Sequence, residues 1–212
     1  MIKVKICGLT TPEAVDAALD GGAAFLGFMF FAASPRNISP EAAARLAQRA
    51  RGRAAIVAVT AGADDALMRS LAVILRPDYV QLHAEDGPAR ARQVRQICQA
   101  GVIKGLSVSR ASDLDAAADF EGVADYLMFD ARPPEGADRP GGHGASFDWT
   151  ILSRRRFGRP WFLAGGLTPE NVEEAVRISG APMADVSSGV EREPGLKDPA
   201  LIRAFLEAAR RA

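Results

Sequence analysis

Cysteine, histidine and lysine are all scarce in this chain, and each scarcity removes a class of explanation. Two cysteines, Cys7 and Cys98, in 212 residues cannot build a disulfide framework, which fits a reducing compartment. Two histidines provide poorly for metal-ion chemistry, since a zinc site draws on several imidazole or thiolate ligands. No apolar run approaches the roughly 18 residues of a membrane span, and the start MIKVKICGLT turns polar too early for a secretory signal. The expectation is a soluble, cytoplasmic protein with no membrane partner. Neither sign of charge is in excess: 26 basic residues face 26 acidic ones. Nothing in that balance points to nucleic acid, so an anionic ligand has to be captured by local groups.

What the chain does have is apolar residue, 48% of the total, enough for a sizeable core in a single domain spanning 1–212. Short β-branched or aromatic runs recur, each followed by a stretch with helical spacing. The candidate strands are 3–7, 24–30, 55–59, 79–82, 102–106, 126–129, 161–163 and 184–186. Thr11-Pro12-Glu13, Ser39-Pro40-Glu41 and Thr168-Pro169-Glu170 read as helix starts, a capping hydroxyl followed by proline where no amide is needed. Eight βα units in so short a chain predict a closed (β/α)8 barrel. An open doubly wound sheet is the alternative, but Cys7-Gly8-Leu9-Thr10 is not the glycine-rich turn that such a sheet would carry after its first strand.

Barrels place their chemistry at the C-terminal ends of the strands. There the sequence sets Cys7, Gln81, His83, Asp130 and Asp185, from distant parts of the chain. Glycine pairs fall on consecutive late loops: Gly141-Gly142-His143-Gly144, Gly165-Gly166, and Ser188-Gly189. Without a Cβ, such loops let backbone amides approach an anion, and the loops after the seventh and eighth strands of barrels often bind phosphate. A small phosphorylated substrate follows. Arg36, in Ser34-Pro35-Arg36 after the second strand, brings a planar fork suited to a carboxylate. Lys5 lies two residues before Cys7 on the same strand face and is a candidate electrostatic partner for it. Cys98, within a helical stretch, reads as structural.

These segments resemble one family throughout. Lys5-Ile6-Cys7-Gly8, Ser34-Pro35-Arg36, Gln81-Leu82-His83, Phe129-Asp130, the Gly141–Gly144 loop with Phe147-Asp148-Trp149, Leu163-Ala164-Gly165-Gly166-Leu167 and Asp185-Val186-Ser187-Ser188-Gly189-Val190-Glu191 are similar to phosphoribosylanthranilate isomerase. The resemblance implies an Amadori rearrangement of an aminoaldose to an aminoketose in tryptophan biosynthesis, with no metal or organic cofactor. By the same resemblance Cys7 is the general base, Asp130 the general acid and Arg36 the contact for the anthranilate carboxylate. Asp185 faces the sugar, His83 lines the mouth, and Gly142, Gly144, Gly165, Gly166, Ser188 and Gly189 hold the phosphate. His143 departs from the hydroxyl residue usual at its position. Both a monomer and a homodimer are compatible with the sequence.

The residue types suit that reaction. Ring opening needs a proton at the furanose oxygen and the next step needs a base at C2′, so a donor and an acceptor must flank one sugar. An ordinary Asp, near 3.9, and an ordinary Cys, near 8.5, both need tuning for this. Competing readings are a barrel that binds its ligand without turnover, a redox sensor at Cys7, and other phosphate-binding barrels. Those that rely on a catalytic lysine or on metal-binding histidines fit less well. A histidine-pathway aminoaldose would undergo the same chemistry, although the isomerase of that pathway typically uses two aspartates.

Overall fold

A computed structural model describes residues 2–83, 86–132 and 146–212. Eight parallel strands close into a barrel in chain order: β1 (Lys3–Cys7), β2 (Phe25–Phe30), β3 (Ala55–Ala61), β4 (Tyr79–His83), β5 (Gly101–Val108), β6 (Tyr126–Ala131), β7 (Trp161–Leu163) and β8 (Met183–Val186). Closure comes from β1 pairing with both β2 and β8. All eight strands expected from the sequence are present. The main difference is that β3, β5 and β6 run two residues further toward the mouth than their apolar runs, because Thr60 and Ala61 still pair with β4, and Ser107, Asp130 and their neighbours still pair across the β5–β6 ladder.

Helices α1 (Pro12–Asp20), α2 (Pro40–Ala47), α3 (Asp65–Ile74), α4 (Pro88–Cys98), α5 (Thr150–Ser153), α6 (Val172–Ser179) and α7 (Pro199–Arg210) lie outside the barrel. The Thr11 and Ser39 side chains accept hydrogen bonds from the amides of Ala14 and Ala42, as their sequence signals predict. Thr168 Oγ1 likewise accepts from the Glu170 amide, at 3.3 Å, and its carbonyl from the Val172 amide, at 3.1 Å. The side chain of Asn171 accepts from the Thr168 amide at 2.8 Å and donates to the Gly166 carbonyl at 2.9 Å. Those bonds hold 168–171 as a turn, and α6 begins only at Val172. Between β5 and β6 the chain forms a 3₁₀ segment, Ala111–Phe120. A small hairpin, β9 (Glu191–Glu193) with β10 (Leu196–Lys197), follows β8.

Because both faces of each strand are covered, apolar residues divide into two cores. The larger lies between strands and helices. The smaller fills the barrel, where Phe25, Tyr79, Tyr126 and Phe162 meet mostly edge to face with ring centroids 5.1–5.9 Å apart. These rings come from the N-terminal halves of their strands and close that end. Side chains two and four residues further along are therefore aimed at the opposite mouth.

Candidate active site

On β1 the inward positions are Lys3, Lys5 and Cys7, so alternation alone carries a lysine and a thiol up the inside of the barrel. Their neighbour on β2 is Gly27. A Cβ there would stand 3.0 Å from Lys5 Nζ and 3.2 Å from Cys7 Sγ. The glycine in the middle of the otherwise bulky run FLGFMF is what makes room for both. Gly105 does the same on β5, where a Cβ would come within 2.7 Å of His83 Nδ1. Neither residue was singled out from the sequence, yet a lone glycine inside a strand is a known sign of close approach.

Lys5 is fully buried, and its Nζ donates to Asp185 Oδ1 at 2.8 Å. Burial alone would lower its pKa, but Asp185 and Cys7 outweigh that and hold the ammonium above its ordinary value. For Cys7 burial dominates and raises the thiol, with Asp185 adding to the rise while Lys5 and Lys197 oppose it. Cys7 is thus held mainly as thiol at neutral pH. Asp130, the last residue but one of β6, is pushed up to about 7 by burial and then by Asp185, against the Ala131 amide and Lys5. Its carboxyl is therefore substantially protonated at neutral pH. Arg132, two residues beyond Asp130, lies 3.0 Å from Asp113. His83 is driven down to about 3 by burial and by Lys5 and Lys104, and so is neutral. Its ring nitrogen Nε2 pairs with the Gln81 side-chain amide.

Arg36 sits in the loop after β2, with its amide donating to Ser34 Oγ at 3.2 Å. Its chain crosses above β1 because Gly8, at φ +77°, has no Cβ to meet the Arg36 Cδ, which would be only 2.5 Å away. The guanidinium is buried, and its Nε and Nη2 donate to Glu191 Oε1 and Oε2 at 2.7 and 2.8 Å. The fork that the sequence offers to a ligand carboxylate is thus engaged by Glu191, which leaves Nη1 for any further anion. Glu191 also pairs with Lys197, whose Nζ donates to the Ser187 carbonyl at 2.9 Å. Glu191 was visible only as part of the family resemblance and Lys197 not at all, because two-residue β10 has no periodicity to flag it.

The glycine loops divide in their reasons. Gly142 and Gly144 lie outside the described residues, as does His143. Gly165 and Gly166 have φ of +88° and +64°, which favour glycine, and a Cβ on Gly165 would be 2.5 Å from the Ala131 amide nitrogen. Gly189, in the 3₁₀ turn Ser188–Val190, has a different constraint: its Cβ would stand 1.9 Å from the Leu167 carbonyl oxygen. The loop after β8 lies directly on the loop after β7, so here the close approach is protein on protein. Cys98 is packed in α4 with its thiol toward the Met68 carbonyl, a structural position. Among the described residues, no group of three or more His, Cys, Asp or Glu could hold a metal ion, and no helix is long and apolar enough to cross a membrane.

Fold and mouth together define a (β/α)8-barrel enzyme whose ionisable groups are gathered at the C-terminal ends of its strands. The family profile for N-(5′-phosphoribosyl)anthranilate isomerase matches residues 4–208, and the chain belongs to that family. It is 60% identical over 209 residues to the isomerase of that name from Caulobacter vibrioides, covering 98% of this chain and 95% of the relative. The phosphoribosylanthranilate isomerase of Thermotoga maritima superposes with a TM-score of 0.88 at 33% identity, over 99% of both chains. An isomerase of the same name in complex with reduced 1-(o-carboxyphenylamino)-1-deoxyribulose 5-phosphate superposes with a TM-score of 0.85 at 32% identity, again over 99% of both.

Proposed function

We propose that this chain converts N-(5-phosphoribosyl)anthranilate to 1-(2-carboxyphenylamino)-1-deoxyribulose 5-phosphate in tryptophan biosynthesis, with Asp130 as general acid and Cys7 as general base. The observation that carries the assignment is the pair of pKa environments at one mouth. A carboxyl that titrates at about 7 keeps a proton to give at neutral pH. It donates to the furanose ring oxygen as the C1′–O bond breaks and the aniline nitrogen's lone pair forms the Schiff base. The thiolate form of Cys7 then takes the C2′ proton, and the resulting enolamine tautomerises to the ketone, with a proton added at C1′ and one lost from the C2′ hydroxyl.

Around those two groups, Arg36 receives the anthranilate carboxylate through Nη1, and Asp185 and His83 face the sugar. The amides of Gly165, Gly166, Ser188 and Gly189, with Gly142 and Gly144, receive the phosphate. The reaction takes place in the cytoplasm, whose reducing conditions keep Cys7 from oxidation.

The test is the decay of substrate fluorescence when purified protein is added to freshly made phosphoribosylanthranilate. Cys7→Ser and Asp130→Asn, both folded, should each lower kcat by about 10²–10⁴-fold, the range for a positioned acid or base. Retention of more than about a tenth of wild-type kcat by both would overturn the assignment, being too small a loss for such roles.

A further inference from the structure

We infer that Lys197 is a positioning residue for the general base: its buried ammonium, anchored on Ser187 and Glu191, supplies the positive charge against which the Cys7 thiolate forms. The inference deepens the reading of Cys7 as base and rests on it. Lys197 is one of only four lysines in the chain, and its side chain has no solvent exposure. Its Nζ donates to the Ser187 carbonyl at 2.9 Å and to Ser187 Oγ at 3.3 Å, while pairing with Glu191. The Ser187 hydroxyl in turn donates to the Cys7 carbonyl at 3.2 Å. One hydroxyl therefore links the ammonium to the backbone of the thiol's own residue.

Charge balance explains what the ammonium is for. Both oxygens of Glu191 are already engaged by Arg36, so two buried cations share one carboxylate. A buried cation with only part of a counterion is costly. Lys5 differs, since it has Asp185 to itself, and those two act on the Cys7 thiol with opposite sign. Among the described residues, the other titratable groups placed at the mouth are Asp130 on β6, substantially protonated at neutral pH, and neutral His83 on β4. The Arg36–Glu191–Lys197 cluster carries a net positive charge, and a thiolate at Cys7 is the anion within the chain that it favours before the substrate carboxylate reaches Arg36. The influence runs both ways: burial lowers the pKa of Lys197, while Glu191 and Cys7 act to keep it charged.

The experiment is the pH dependence of iodoacetamide alkylation at Cys7 in the full chain without substrate, read by peptide mass spectrometry to separate it from Cys98. Kinetic constants are measured on the same preparations. Lys197→Gln keeps a donor for the Ser187 carbonyl but removes the charge, and Lys197→Met is a second neutral variant. An opposite charge nearby shifts a titration by about one to three pH units. Either neutral variant should therefore move the alkylation midpoint up by at least about one unit, lower kcat at pH 7.5 by at least about tenfold, and change KM by less than about threefold. Lys197→Arg retains the positive charge, so its midpoint should stay within about half a unit of the wild type and its kcat should stay above that of the glutamine variant.

A folded neutral variant with the wild-type midpoint overturns the inference, as does an arginine variant impaired as much as the glutamine one. If neither neutral variant folds, the arginine variant decides against wild type: a midpoint within about half a unit supports the inference, and one raised by about one unit or more overturns it. Failure of the underlying reading looks different: Cys7→Ser would retain kcat while the alkylation midpoint still moved in Lys197→Gln.

Discussion

Replacing Asp130 by asparagine should make the protein more stable while it destroys activity, and the gain should depend on pH in a way fixed by the carboxyl's surroundings. In the unfolded chain an aspartate titrates near 3.9, whereas here it titrates at about 7 because burial and Asp185 disfavour its charge. The folded state thus binds this proton more tightly than the unfolded state does. Below pH 3.9 both states hold the proton and the group is neutral in its effect. As pH rises toward 7 the unfolded state releases its proton and gains, so stability is lost progressively until the folded state also ionises. The full difference corresponds to about 4 kcal/mol. Water reaching the half-buried carboxyl reduces it to about 2 kcal/mol, or about 4–8 °C in Tm for a chain of this size.

An asparagine side chain cannot ionise, so urea or thermal denaturation of wild type and Asp130→Asn, compared from pH 5 to 9, isolates this one group. The stability difference should grow in favour of the variant between pH 5 and about 7 and then level off. A pH-independent offset from the amide's own hydrogen bonds does not disturb that shape. A difference that stays flat with pH, or that turns against the variant as pH rises, would refute the reasoning about the carboxyl's environment.

Three other outcomes follow from the packing. Gly189→Ala sets a Cβ 1.9 Å from the Leu167 carbonyl oxygen, a contact that backbone must move to relieve; the midpoint of denaturation should fall by the equivalent of about 2 kcal/mol or more, and a wild-type midpoint would show that the two loops do not interlock. Arg36→Lys keeps a cation beside Glu191 but lacks the fork, so KM should rise at least about tenfold with a smaller change in kcat; an unchanged KM would assign Arg36 to structure alone. Lys5→Met leaves Asp185 buried without its partner and should cost about 3–5 kcal/mol in denaturation, a loss that Lys5→Met/Asp185→Asn should largely restore; equal stabilities for both proteins would mean that the pair is not coupled.

The barrel was legible because each βα unit writes its own local signature. Apolar runs of strand length, and the Thr11 and Ser39 caps with proline behind them, need nothing beyond a few neighbouring residues. The end of β6 and the start of α6 were not legible in this way. Asp130 pairs because β5 lies beside it, and α6 starts only at Val172, after the turn that the Asn171 side chain closes on the Thr168 amide, a contact that a hydroxyl–proline signal does not contain. In the site, polar residues at strand ends could be named as Cys7, Asp130 and Asp185, and the lysine two positions before the thiol could be suspected. The family resemblance added roles for them. What remained hidden was pairwise: that Glu191 occupies the fork of Arg36, that Lys197 reaches back over Ser187, and that Gly27 and Gly105 are cut away for side chains on the next strand. Such facts depend on two residues far apart in the chain, and periodicity describes only one segment at a time.

The ion pair across the seam of the barrel also bears on how the molecule is made. Lys5 and Asp185 are separated by 180 positions, so at about 5–20 residues per second a ribosome delivers the aspartate about 9–36 s after the lysine. Through that interval the ammonium has no counterion of its own, and placing it in a dry interior would cost several kcal/mol. The first strand is thereby discouraged from docking early, and the nascent chain keeps its opening segment in water until the eighth strand arrives to receive it.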